Sequence, residues 1–148
     1  MPRAQESATA VIAAPPERIF ALLTDPAMHP LIDGTGSVLG VQAGGPERLT
    51  LGSKFGMDMK IGAPYKILNT VVEYDQDHLI AWRHFYGHRW RWQLKPLSGG
   101  RTEVTETFDW STTRFPLLLT LTPFPRRNRL GIEKSLARLA DIATAPGK

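Results

Sequence analysis

The stretch that decides the fold is Leu79-Ile80-Ala81-Trp82-Arg83-His84-Phe85-Tyr86-Gly87-His88-Arg89-Trp90-Arg91-Trp92-Gln93-Leu94-Lys95-Pro96-Leu97-Ser98-Gly99-Gly100-Arg101-Thr102-Glu103-Val104-Thr105-Glu106-Thr107-Phe108-Asp109-Trp110. It contains three runs of alternating character separated by two turn signals. Ile80, Trp82 and His84 share one face of the first run, with Ala81 and Arg83 on the other. His88, Trp90, Trp92 and Leu94 alternate with Arg89, Arg91, Gln93 and Lys95. Thr102, Val104, Glu106, Phe108 and Trp110 alternate with Arg101, Glu103, Thr105, Thr107 and Asp109. Period two over such a length predicts antiparallel strands with one wet and one covered face.

The first turn has two readings. A three-residue loop, Phe85-Tyr86-Gly87, sets Gly87 in a left-handed conformation and pairs His84 with His88, Trp82 with Trp90 and Ile80 with Trp92. A two-residue Tyr86-Gly87 turn instead pairs Phe85 with His88 and moves Arg83 to the face of Trp90. A slip of one residue transfers a whole side-chain set to the opposite face, so the three-residue loop is preferred. The covered face then carries the tryptophans, Phe108, two histidines and Glu106. A plain core favours Val, Leu and Ile. This mixture suits a pocket with apolar walls and a few orienting polar groups. The competing reading is a large aromatic core with His84, His88 and Glu106 at a rim that touches water.

Outward from this meander, the other elements follow. Ser7 to Ala14 reads as a first strand. Pro16 suits the first turn of a helix, and Ile19, Phe20, Leu22 and Leu23 supply its apolar stripe. Met28 to Ile32 reads as a second short helix. Val38 to Val41 is a strand. Phe55, Met57 and Met59 alternate with Lys54, Gly56, Asp58 and Lys60 in another, and Gly62-Ala63-Pro64 is a turn. Tyr65 to Tyr74 is a strand, closed by Asp75-Gln76-Asp77. After Trp110 comes Phe115 to Pro125, apolar and punctuated by prolines. Arg126 to Ala143 reads as a helix, with Ile132, Leu136, Leu139 and Ala143 at the spacing of one buried stripe. The only element long enough to cover the sheet is this helix.

A chain of 148 residues is expected to form one domain, residues 1–148. It contains no cysteine, which excludes disulfides and cysteine-ligated metals. Eighteen basic and fourteen acidic residues leave a formal charge of +4. Arg126, Arg127, Arg129, Lys134 and Arg138 read as a solvated helix face. No exposed basic-aromatic pattern points to nucleic acid. The polar N-terminus does not resemble a signal peptide. Phe115 to Pro125 is too short to span a bilayer. We therefore expect a cytoplasmic protein.

In this context Ala13-Ala14-Pro15-Pro16-Glu17-Arg18-Ile19-Phe20 resembles the Pro-x-x-x-Val/Ile-Phe/Trp signature of the START-like, or helix-grip, superfamily. Leu79 to Arg83, Gly100 to Thr107 and the closing amphipathic helix add to the likeness, which is greatest to the polyketide cyclase/dehydrase and lipid-transport branch. The resemblance implies an α+β helix-grip fold. A curved antiparallel sheet of about six or seven strands would wrap around a long C-terminal helix, with two short helices after the first strand. It also implies a hydrophobic cavity between sheet and helix, and supplies no shared catalytic motif.

The expected function is binding or carriage of a small hydrophobic ligand: a lipid, polyketide, isoprenoid or aromatic compound. The expected lining is Met57, Met59, Trp82, His84, His88, Trp90, Trp92, Glu106, Phe108, Leu136 and Leu139. The alternative is a polyketide aromatase/cyclase or dehydratase in which His84 and Glu106 exchange protons. A third possibility is a protein-interaction module. Ionisation of Glu106 on the covered face is opposed by desolvation unless a base pairs with it. A metal held by His84 and His88 would need a third ligand, Glu106 or Asp58, and Asp58 is predicted on the wet face. His29 and His78 fall at turn-like positions without signal. No cofactor and no metal are expected. The oligomeric state stays open between monomer and homodimer, and Phe115 to Phe124 stays open between a lid, an interface, a transient membrane contact and a packed loop.

Overall fold

Turn chemistry decides where the strands of this chain reverse. Between β5 (Leu79–Arg83) and β6 (Arg89–Leu97), His84 N–H donates to the His88 carbonyl at 3.0 Å and Gly87 N–H to the His84 carbonyl at 3.0 Å. Gly87 has φ +90°, a conformation that costs glycine little. The resulting register pairs Trp82 with Trp90 and Ile80 with Trp92, as the three-residue loop predicts. Between β3 (Lys54–Ile61) and β4 (Ala63–Asp75) the reversal is tighter than expected. Gly62 alone, at φ +72°, separates Ile61 from its partner Ala63, so Ala63 and Pro64 belong to the strand.

The computed structural model describes residues 4–84, 87–113, 121 and 124–145. The remaining elements are β1 (Gln5–Ile12), α1 (Pro16–Leu23), a 3-10 turn (Pro26–Met28) running into the one-turn α2 (His29–Ile32), β2 (Val38–Val41), β7 (Arg101–Asp109) and α3 (Phe124–Thr144). The strands form one antiparallel sheet in the order β1-β7-β6-β5-β4-β3-β2. This is the α+β helix-grip architecture. β1 lies two residues earlier than its sequence pattern suggests, since Ala14 already leaves the ladder and its carbonyl accepts from Thr102 Oγ1 at 2.7 Å. Most of Phe115 to Pro125 lies outside the described residues, so its expected roles cannot be placed on the fold.

α3 lies closest to β1 and β7. Ile132, Leu136, Leu139 and Ala143 are buried, the single stripe that their spacing predicts. The α2–β2 loop is strapped to the same helix. Gly34 N–H donates to Ser135 Oγ at 2.7 Å, Arg127 donates to Thr35 O at 3.3 Å and Ser37 Oγ at 2.8 Å, and Arg138 donates to the Asp33 carbonyl. α1 buries Ile19, Phe20 and Leu23, and Phe20 meets Tyr74 edge-on at 5.6 Å.

The outer face is not uniformly wet, contrary to the alternation. Ala81, Thr107 and Asp109 are buried there. They lie beneath a charged network in which Glu73 accepts from Arg89 at 2.7 Å and from Arg91 through both carboxylate oxygens at 2.7 Å. Arg91 also reaches Asp109 at 3.3 Å. Ala81 stands in register between Glu73 and Arg91. Its small side chain leaves room for the ion pair to pass over β5.

Candidate ligand site

Successive rungs of side chains cross the concave face. One rung is Ala8, Glu106, Trp92, Ile80 and Tyr74; the next is Glu6, Phe108, Trp90 and Trp82, with Val71 beside Trp82. A third carries His88 and His84, which close the β5–β6 hairpin. Aromatic rings make much of the surface continuous. Phe108 lies 4.9 Å from Trp90, 5.4 Å from Trp110 and 5.3 Å from His88. His84 and His88 are 4.7 Å apart, and His84 lies 6.4 Å from Trp90.

A second aromatic group sits toward β3. His29 stacks on Trp82 at 4.7 Å and meets Phe55 edge-on at 5.4 Å, while Phe55 meets Trp82 at 5.7 Å. The His29 Nε2 lies 2.8 Å from the Leu23 carbonyl, and as the neutral ring its N–H donates there. Burial pushes its pKa down, against the opposing effects of that hydrogen bond and of Asp25 and Asp33. The sequence offered no sign of this role, because a His-Pro pair at a turn is usually solvated. Asn69 was also missed. It is 2% exposed and its Oδ1 has no hydrogen-bond partner among the described residues. Alternation of Ile67, Asn69 and Val71 along β4 was the signal that would have found it.

Glu106 is only 4% exposed, and its Oε1 lacks a hydrogen-bond partner among the described residues. Burial drives its pKa well above the usual carboxylate value, and the charge of Asp33 adds to the rise. This is a nearly fully buried acid, with no ion pair to Arg, Lys or His among the described residues. Its register partner Trp92, 3% exposed, likewise carries an Nε1 without a hydrogen-bond partner among the described residues. Leaving such a buried group unsatisfied costs about 1–3 kcal/mol. The pair is therefore an unusual feature of an otherwise apolar wall.

The two histidines keep some surface. Desolvation lowers His84 well below the ordinary imidazole value, with its neighbour His88 adding to the fall, and desolvation takes His88 down to about 4. Both are neutral at pH 7. Glu106 is not brought to them. Its partner Trp92 stands four residues along β6 from His88, about 13 Å at roughly 3.3 Å per residue. The Trp90–Phe108 rung lies between. Direct proton exchange between His84 and Glu106 has no support in this geometry.

Met57 and Met59 are buried on β3, four strands from Glu106 in the sheet order. Leu136 and Leu139 lie on α3 near β1 and β7. The predicted lining thus spans the whole concave face rather than one small cluster. Asp58 is turned away from it, accepting from Gln42 Nε2 at 3.2 Å. No group of three His, Cys, Asp or Glu side chains able to hold a metal occurs among the described residues. No helix among them is long and apolar enough to cross a membrane. What the wall offers chemically is apolar surface, hydrogen-bond donors and one acid whose protonated form is favoured by burial.

Residues 3–144 match the sequence model of the family described as polyketide cyclase/dehydrase and lipid transport. The uncharacterized protein Rv0088 of Mycobacterium tuberculosis is 40% identical over 135 residues, which cover 88% of this chain and 60% of that protein. The chain thus spans 60% of the length of these curated relatives. Among solved structures, protein CV1439 from Chromobacterium violaceum superposes with a TM-score of 0.74 at 20% identity, covering 97% of this chain and all of that one. Protein Ms6760 from Mycobacterium smegmatis gives 0.71 at 17% identity, with 96% and 92% covered. At such identities these likenesses concern the fold.

Proposed function

The chain belongs to the polyketide cyclase/dehydrase and lipid-transport family, and from that premise we propose that it binds a small hydrophobic molecule against the concave face of its sheet. The chain then acts as one ligand-binding unit, holding its cargo rather than transforming it. The observation that carries this reading is the combination of a broad aromatic wall with buried polar atoms on Glu106 and Trp92 that have no hydrogen-bond partner among the described residues. A core built only for stability gains from pairing such atoms or replacing them with hydrocarbon. A wall that meets an oxygen-bearing lipid, polyketide, isoprenoid or aromatic compound has a use for them.

Native mass spectrometry of freshly purified protein tests the reading, together with titration of a neutral fluorescent apolar probe. We expect a co-purifying apolar molecule or saturable probe binding. Trp90 keeps partial exposure beside Phe108, so Trp90→Phe should weaken the probe several-fold at little cost in stability, because the part of the ring removed faces ligand or water rather than packed protein. Absence of both a bound molecule and probe binding, with the Trp90→Phe protein markedly destabilised, would identify the aromatic layer as a solid core.

A further inference from the structure

We propose that Glu106 and Trp92 form a two-donor site for an uncharged acceptor oxygen, so that this wall selects flat apolar molecules carrying a ketone-type carbonyl over the matching hydrocarbon and over carboxylates. This rests on the reading of the concave face as a ligand site and adds the ligand's chemistry to it. The two residues are register partners on β6 and β7, which places their Cβ atoms roughly 4.5–5.5 Å apart on one face. Both are more than nine-tenths buried, and Glu106 Oε1 and Trp92 Nε1 each lack a hydrogen-bond partner among the described residues. Their rung neighbours, Ala8 and Ile80, have no polar side-chain atom to offer. The Tyr74 hydroxyl at the end of the rung is engaged with Gln76 Oε1 at 2.6 Å.

Donor and acceptor capacity then specify the occupant. An indole N–H only donates, and a carboxylic acid that keeps its proton can donate through Oε1. Burial, and to a lesser degree the nearby charge of Asp33, favours the protonated form. A carbonyl oxygen has two lone pairs and accepts from both donors at once. A hydrocarbon leaves both donors dry and unpaired. A carboxylate brings a second negative charge to an apolar wall that already feels Asp33, and no described residue offers Glu106 a cation.

Fluorene, fluorenone and fluorene-9-carboxylate share a tricyclic frame and differ at one carbon, which makes them suitable probes. Their displacement of N-phenyl-1-naphthylamine is measured at pH 7 for the wild type and for Glu106→Leu, Glu106→Gln and Trp92→Phe. One net hydrogen bond corresponds to about a tenfold change in affinity, so fluorenone should bind about tenfold more tightly than fluorene, and the carboxylate weakest of the three. Glu106→Leu and Trp92→Phe should each bring the ketone-to-hydrocarbon ratio toward one, whatever change either makes to the affinity for fluorene itself. Glu106→Gln, whose amide still donates, should keep the ratio. A wild-type ratio near one, or an undiminished ratio in both Glu106→Leu and Trp92→Phe, overturns the donor site yet leaves the container standing. Failure of all three compounds, and of the naphthylamine itself, overturns both.

Discussion

At the scale of single residues, the concave face holds three groups whose protonation is set by dryness. Glu106 keeps its proton in the folded chain at pH values where an unfolded glutamate, with a pKa of about 4.3, has lost it. The folded state then binds more protons, so this residue's contribution to stability is complete below about pH 4.3 and is lost as pH rises above it. Glu106→Gln lacks this dependence. Its stability relative to wild type should therefore increase from pH 4 to pH 7 in urea unfolding. Parallel pH profiles would show that Glu106 ionises freely. His88 behaves in the opposite sense. Its folded pKa of about 4 lies below the ordinary 6.5, so the unfolded chain takes up protons first. Its contribution is complete above about pH 6.5 and falls away as the pH drops toward 4. Imidazole carbon-proton NMR should give a His88 midpoint near 4; a midpoint at or above 6 would place the ring in water.

At the scale of elements, the contact between α3 and the α2–β2 loop is closer than ordinary side chains allow. A Cβ added at Gly131 would lie 2.5 Å from Thr35 Cγ2 and 3.2 Å from Thr35 Cα. One added at Gly34 would lie 2.5 Å from the Gly131 carbonyl oxygen and 2.6 Å from Ser135 N. Thr35 cannot easily turn aside, because its hydroxyl donates to Asp33 and accepts from Ser37 N–H at 3.1 Å. Within a helix, alanine is favoured over glycine by about 1 kcal/mol. Here the clash outweighs that preference, and Gly131→Ala should destabilise by about 1–3 kcal/mol. Adding Thr35→Ser, which removes the methyl and keeps the hydroxyl, should restore part of the loss in chemical unfolding. A Gly131→Ala protein as stable as wild type would mean that the loop docks more loosely. The loop continues from α2, whose His29 stacks on Trp82. The same contact therefore helps to position one boundary of the aromatic wall.

At the scale of the whole molecule, the two faces of the sheet do different work. The outer network joins β1, β4, β6 and β7 through Gln5, Glu73, Arg89, Arg91 and Asp109. Hydrogen bonds from Arg91, then from Arg89, lower the Glu73 carboxyl to about 2 against the cost of burial. The depressed pKa makes its contribution complete above about pH 4.5 and lost as pH falls toward 2. Glu73→Gln should cost about 1–3 kcal/mol near neutrality and flatten the acid limb of the stability profile. An unchanged acid limb would move the origin of acid sensitivity elsewhere. Facing and register were legible from the residues alone. Period-two runs chose the concave set, Gly87 pinned Trp82 opposite Trp90, and the 132-136-139-143 stripe chose the buried side of α3. These are local signals, carried by residues a few positions apart. Tertiary structure alone decided depth and partnership. β1 pairs with β7 about a hundred residues away, α3 settles beside that pair, and His29 arrives on Trp82 from α2. Whether Glu106 sits at a wet rim, in an ion pair or unpartnered in the interior depends on which distant groups come within a few ångströms. Alternation fixes the direction of a side chain but says nothing of what it meets.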